Sequence, residues 1–327
     1  MSNKQMQSPN IFSYAPSELT QDAFICWLAK WADPKYQNYN PKLHNIGVLF
    51  LKRMLAKHDI SLNGDVPKSV IKKQHHNIDV VIDLEDQILL IEDKVFSKQH
   101  SDQLQRYKEK LEEEYNDKQV LPIYFQTGSQ SNYEAVIEKG YKLFLREDFL
   151  SVLEQGISNN IGNEVFKSFY KHLKRIDERF KSFQNKPVGN WDWDGWKGFY
   201  AVLKDNIEEG GWGYVANPSG GFMGYWWNFN DQDECTVYLQ LEDDKLCFKV
   251  SVDKESNYSE IRNKWYRKVI EASKSTDLNI RKPARFGHGK QMTVAVLDKD
   301  YRKTDSNGIL DLEETINILK EAGKILR

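Results

Sequence analysis

Asp79, Glu92 and Lys94 are the residues of this chain whose types and spacing could do chemistry. They interrupt two short apolar, β-branched runs, N-I-D-V-V-I-D-L from Asn77 to Leu84 and Q-I-L-L-I-E-D-K-V-F from Gln87 to Phe96, which read as strands. Glu85-Asp86 between them suits a tight hairpin connection. Residues two apart on a strand share a face, so Glu92 and Lys94 point together while Asp93 points away. A neighbouring strand brings Asp79 beside Glu92. Two carboxylates converging at the edge of a sheet repel unless a cation lies between them, and an oxygen-rich, partly hydrated arrangement suits Mg²⁺, with Mn²⁺ as a substitute. A lysine held close to such an ion can orient an attacking water and offset charge on a phosphorane-like transition state. Asp83 shares the face of Asp79 but sits beside the turn, where an exposed acid is the ordinary case.

The stretch I-D-V-V-I-D-L-E-D-Q-I-L-L-I-E-D-K resembles the D…(D/E)-x-K core of the PD-(D/E)XK nuclease superfamily, whose fold is shared by many restriction enzymes, RecB-type exonucleases and junction resolvases. Downstream, Asp102-Gln103-Leu104-Gln105-Arg106-Tyr107 holds a Gln-x-x-x-Tyr pair similar to the additional motif of the RecB-type branch, and Glu18-Leu19-Thr20-Gln21-Asp22 resembles the acidic N-terminal helix of that superfamily. Gln103 and Tyr107, four apart, share a helix face; Gln105 lies about 200° round from Gln103 and cannot join them. The resemblance implies an α/β fold with a restriction-endonuclease-like mixed sheet flanked by helices. It also implies Mg²⁺-dependent phosphodiester hydrolysis, a nucleic acid partner with DNA ahead of RNA, dimeric action in many members, and a prokaryotic setting in defence or DNA processing. Carried over position by position, it implicates Glu18, Asp79, Glu92, Lys94, Gln103 and Tyr107 in catalysis, and Asp79, Glu92, Glu18 and the carbonyl of Asp93 in holding the metal. The chain departs from the usual pattern at one place, with Ile78 where a proline commonly precedes the first aspartate. A nuclease fold that has lost turnover and serves as a binding or accessory protein would keep these motifs too, and that reading stands as the alternative.

The elements that must position these residues follow from periodicity. Leu19, Ala23, Phe24, Trp27, Leu28 and Trp31 recur at helical spacing, as do Ile46, Leu49, Phe50, Met54 and Leu55. A third helix over Ser101–Tyr115 followed by a strand over Val120–Thr127 completes a strand–helix–strand crossover, which makes parallel pairs. A further helix runs from about Asn163 to Phe183, and Gln184–Asn190 (Q-N-K-P-V-G-N) reads as a linker between a domain at 1–183 and a second at 191–327. Beyond it the strands alternate (Val237, Leu239, Leu241; Leu246, Phe248, Val250, Val252; Met292, Val294, Val296), which predicts an α+β domain with an antiparallel sheet and helices near 194–207, 258–273 and 311–325. Its role is read as substrate targeting, regulation or partner-protein binding.

Composition narrows the rest. The chain has 327 residues, 40% hydrophobic and 29% charged, enough apolar material for two cores. Forty-six Lys+Arg against 48 Asp+Glu give a net charge of −2, so an anionic partner must be met by a local patch. Three cysteines (Cys26, Cys235, Cys247) without a CxxC pair exclude a disulfide scaffold and point to the cytoplasm; short apolar runs point away from a membrane. Candidate phosphate contacts are Lys72, Lys73, Lys98 and Arg106, with a second group at Arg262, Lys264, Arg267, Lys268, Arg281, Lys282 and Arg285. Seven of the nine tryptophans lie beyond residue 190; Trp191, Trp193, Trp196, Trp212, Trp226 and Trp227, with Tyr225, are read chiefly as core, with base stacking as the alternative. His75-His76 is read as a solvated pair at the start of a strand, because adjacent strand residues diverge and no third ligand is spaced for them. Phe286–Lys290 and Lys303–Glu314 are read as turns, the latter having a cation where a calcium loop needs a carboxylate.

Overall fold

The apolar runs of the first half assemble as a five-stranded sheet in a computed structural model, which describes residues 10–14, 17–62, 64, 66–96, 102–207, 210–217, 220–232, 234–252 and 257–326. In chain order α1 (Ser17–Lys30) and α2 (Pro41–Ala56) precede β1 (Val70–His75), β2 (Ile78–Leu84) and β3 (Gln87–Lys94). Then come α3 (Gln103–Glu114), β4 (Gln119–Gln126), α4 (Glu134–Ile137), β5 (Lys142–Leu145), α5 (Arg146–Ser158) and α6 (Glu164–Phe180). The order across the sheet is β1-β2-β3-β4-β5, antiparallel from β1 to β3 and parallel from β3 to β5. Antiparallel β2 and β3 need only a short turn, made with Glu85 at φ +64°; parallel β3 and β4 need the α3 crossover. Lys98 lies outside the described residues.

As the middle strand, β3 is covered on both faces, which is why Ile88–Ile91 is an unbroken apolar run. On one face α3 sets Leu104 and Leu111 against Ile78, Val81, Ile88, Leu90 and Tyr124. On the other, Phe50 of α2 and Phe149 of α5 stack together at 5.2 Å and meet Phe125 of β4 edge-on. Each such ring contributes about 1.5–3 kcal/mol by burial. Where β4 ends, a Cβ on Gly128 would fall 1.7 Å from the Val95 carbonyl oxygen, so only glycine lets this segment pass the end of β3. Arg146 fixes that passage by donating to the carbonyls of Thr127 and Gly128, both at 3.0 Å, and to Asp177 at 3.2 Å.

The second half continues with α7 (Trp193–Asn206), β6 (Gly211–Val215), β7 (Phe222–Gln232), β8 (Cys235–Glu242), β9 (Lys245–Ser251), α8 (Tyr258–Ser273), β10 (Ile280–Arg281), β11 (Gln291–Leu297), β12 (Lys303–Thr304), β13 (Leu310–Asp311) and α9 (Leu312–Lys324). Its six-stranded antiparallel sheet runs β10-β11-β9-β8-β7-β6. Residues from α7, α8 and α9 pack with alternate strand residues into one core that takes in Trp191, Trp212, Tyr225 and Trp227, with Trp196 against it. Trp226 faces the other way, its indole lying over Gly211 and Gly213 in a hollow shared with Tyr238, Gln240, Glu242 and Lys249. Trp193 is exposed. The chain divides into compact units Met1–Asp177 and Glu178–Arg327. Phe183 is already part of the second core. Among the described residues no helix is long and apolar enough to cross a membrane.

Candidate active site

The site sits where β2 begins and β3 ends. The β2–β3 register pairs Val80 with Ile91, and Asp79 folds its carboxylate over the next step of the ladder, its Oδ2 accepting from the Asp93 N–H at 2.8 Å. Glu92 and Lys94 project to the α3 face, as alternation requires. Lys94 Nζ lies 2.6 Å from Glu92 Oε1, 3.8 Å from Asp79 Oδ2 and 3.0 Å from the Asp93 carbonyl, so one ammonium serves both carboxylates. Gln103, the first residue of α3, donates to Glu92 Oε1 at 2.9 Å and to the Tyr107 hydroxyl at 3.0 Å. Glu18 of α1 reaches the far end of β3, its Oε1 accepting from the Val95 N–H at 3.5 Å. The structure thus brings Asp79, Glu92, Lys94, Gln103 and Tyr107 to one corner, with Glu18 at its edge.

Burial sets the electrostatics. Glu92 is fully buried and Lys94 only 7% exposed. Burial pushes the Glu92 carboxyl up to about 7, and the Asp79 carboxylate adds to the rise while Lys94 opposes it. Burial also works against the charged form of Lys94, yet Glu92, Asp79 and Glu18 outweigh it and its pKa rises. The ammonium therefore stays charged at neutral pH, and Glu92 titrates there. Glu92 Oε2 is buried without a hydrogen-bond partner. An ionised carboxylate oxygen left in that state costs several kcal/mol and calls for a cation. Asp79, Glu92 and the Asp93 carbonyl offer all-oxygen donors of the kind a hard divalent ion takes, so the residues present fit one.

Behind the corner, sequence reasoning missed a second layer. Asp93 points to the opposite face, where Gln21 Nε2 donates to its Oδ1 at 2.5 Å and Thr127 Oγ1 donates to Gln21 Oε1 at 2.6 Å. Burial raises Asp93 well above the usual carboxylate range, with Asp22 adding to it; burial, with Asp79, likewise raises Asp22 to about 6. A protonated Asp93 that donates to Asp22 satisfies both groups. The signal was available: Glu18, Gln21 and Asp22 stand at i, i+3 and i+4, one face of α1.

Other expected residues are placed elsewhere. Asp83 is held by Lys118 at 2.7 Å, and Gln105 pairs with Glu109. Arg106 and Lys73 are exposed, whereas Lys72 is engaged by Tyr115 and Glu114. In the second basic group Arg262 is buried over Phe286, with Lys282 over the same ring, while Lys264 pairs with Glu234 and Arg281 with Asp298. The reading of His75-His76 fails. His76 has φ +56° and lies in the β1–β2 turn, so the two rings converge on Glu114 rather than diverging.

A carboxylate pair and a lysine thus gather on an α/β sheet at the junction of its antiparallel and parallel halves. The family model for the PD-(D/E)XK nuclease superfamily matches residues 10–189, more than half of the 327-residue chain, and the chain belongs to that superfamily. No curated protein and no solved structure matches it.

Proposed function

We propose that the chain is a divalent-metal-dependent nuclease acting on DNA, in the cytoplasm, with Asp79, Glu92, Lys94, Glu18, Gln103 and Tyr107 as its working residues. The observation that carries this reading is the meeting of two carboxylates on the buried Lys94 ammonium with Glu92 Oε2 left without a partner. Asp79, Glu92 and the Asp93 carbonyl, helped by Glu18, would hold Mg²⁺ or Mn²⁺, which when bound neutralises phosphate charge and acidifies water. Lys94 favours the ionised form of Glu92 and would donate toward the attacking water; Gln103 fixes the Glu92 carboxylate, and Tyr107 accepts from Gln103. The test incubates the full-length protein with closed-circular DNA, end-labelled linear DNA and RNA, in Mg²⁺, Mn²⁺ or EDTA. Cleavage of DNA that needs the ion and disappears in Asp79→Ala and Lys94→Ala is the expected result. Intact substrates under every condition, with binding retained, would leave the accessory-protein reading instead.

A further inference from the structure

Three of the four residues from Gln74 to Asn77 around the β1–β2 turn depart from extended backbone: Gln74 at φ +55°, His76 at +56° and Asn77 at +65°. The left-handed His76 swings its ring back beside that of His75, with centroids 4.1 Å apart. Both Nε2 atoms then aim at the last residue of α3. His75 Nε2 lies 2.9 and 2.7 Å from the two carboxylate oxygens of Glu114, and His76 Nε2 lies 2.8 Å from Oε2. One donor atom from each of the three falls within 4.8 Å of the others. Their side chains are 24%, 34% and 30% exposed, so an ion can reach them from solvent.

We propose that His75, His76 and Glu114 form a binding site for a transition-metal dication, with Zn²⁺ the best match, separate from the Asp79–Glu92 corner. Two imidazole nitrogens and one carboxylate oxygen suit Zn²⁺ and its borderline neighbours, not Mg²⁺ or Ca²⁺, which want oxygen alone. Three protein ligands leave the fourth tetrahedral position to water. Tetrahedral zinc holds such donors roughly 3.3 Å apart, given bonds of about 2.0–2.1 Å, so the two spacings to Glu114 Oε2 need to open by about half an ångström. Glu114 is ready to serve: burial opposes it, but His75, His76 and Lys72 hold its carboxyl at about 2. Lys72 Nζ bonds Oε1 at 3.3 Å and Tyr115 Oη at 2.5 Å, which leaves Oε2, shared by both histidines, for the ion and supplies the outer partner a ligating carboxylate needs. The bound ion would tie the turn to the end of the same helix that begins with Gln103, bracing α3 against the sheet.

The experiment titrates the full-length protein with Zn²⁺ by calorimetry in excess Mg²⁺, and with Co²⁺ by visible absorption. His76→Asn deletes a ligand while keeping a residue that tolerates positive φ, and His75→Gln deletes the other. One Zn²⁺ per chain, a tetrahedral Co²⁺ spectrum, at least tenfold weaker binding in either variant and full binding in Asp79→Ala are expected. Zn²⁺ binding that is absent, that survives both histidine variants, or that is lost only in Asp79→Ala would overturn the proposal. The last outcome would place the ion at the nuclease corner, and none of them bears on whether DNA is cut.

Discussion

Each of the two sheets carries a glutamate bonded to a lysine, with a glutamine beside it. In the first, Lys94 meets Glu92 at 2.6 Å and Gln103 donates to the same oxygen at 2.9 Å. In the second, Lys249 and Gln240 both donate to Glu242 Oε1 at 2.9 Å. The residue types and distances nearly coincide, yet the surroundings do not. The Glu92 side chain is wholly buried, has an orphaned oxygen and is repelled by Asp79, whereas that of Glu242 is 23% exposed, so water can serve its remaining lone pairs. A Glu–Lys contact on a strand therefore says little about function by itself. What separates the Glu92 pair from the Glu242 pair is burial together with a second acid.

The largest effect to expect from this difference is on catalysis. Asp79→Ala, Glu92→Ala or Lys94→Ala should each cut phosphodiester cleavage by on the order of 10³-fold, the scale of losing a preorganised electrostatic group. Lys249→Ala, the same deletion at the other pair, should leave the rate within about twofold. Steady-state rates on one DNA substrate decide it; a comparable loss in both would erase the distinction. Next in size is stability. Lys94→Met strands a fully buried carboxylate and should cost about 3–5 kcal/mol at pH 8 by urea denaturation in EDTA, while Lys249→Met, beside a carboxylate that reaches water, should cost about 1 kcal/mol.

The same burial gives the first sheet a pH signature. Glu92 rises from 4.5 to about 7 in the fold, so between those values the unfolded chain has lost a proton that the folded chain keeps. Stability is then greatest below about pH 4.5 as far as this group is concerned and falls as pH climbs to about 7, by up to about 3 kcal/mol. Glu92→Gln should flatten that fall in metal-free denaturation curves from pH 4.5 to 7.5. Asp79→Asn, which keeps an oxygen for the Asp93 N–H but removes the repelling charge, should reduce it in part. Saturating Mg²⁺ should act likewise in the wild type, because an ion on the ionised pair offsets the cost. A wild-type curve as steep as that of Glu92→Gln would mean that Glu92 is better solvated than its burial indicates.

The strand pair, its turn, the α3 crossover and the Asp79–Glu92–Lys94 face were legible because strand alternation converts spacing directly into geometry. Gln103 and Tyr107 were legible through helical spacing for the same reason. β1 was not: Val70–His75 mixes polar and apolar residues on a half-exposed edge, with Lys72, Lys73 and Gln74 in a row, and shows no alternation. Nor was the convergence of His75 and His76, since it depends on a left-handed backbone at His76 that residue type does not announce. The Gln21–Asp93–Thr127 bridge joins residues far apart in the chain, and only the packed sheet brings them together. The turn at 184–190 was legible from Pro187 and Gly189, whereas the packing of Phe183 into the second core was not, because it depends on residues far along the chain.

The finest way to sharpen the comparison is through the two glutamines, which make the same 2.9 Å bond to a glutamate. Gln103→Ala removes a donor from a fully buried carboxylate whose same oxygen is otherwise served by Lys94. One hydrogen bond to a charged group is worth about 1.5–3 kcal/mol, so cleavage should fall at least about tenfold while the fold persists. Gln103→Glu should fall further, because it adds a third acid beside Asp79 and Glu92. Gln240→Ala should leave cleavage unchanged and cost about 1 kcal/mol or less, since Lys249 and solvent remain to serve Glu242. Circular dichroism with rates measured on both variants separates the cases: if Gln103→Ala proves as silent as Gln240→Ala, then α3 covers the corner without helping to hold Glu92, and the site consists of the strand residues and Glu18 alone.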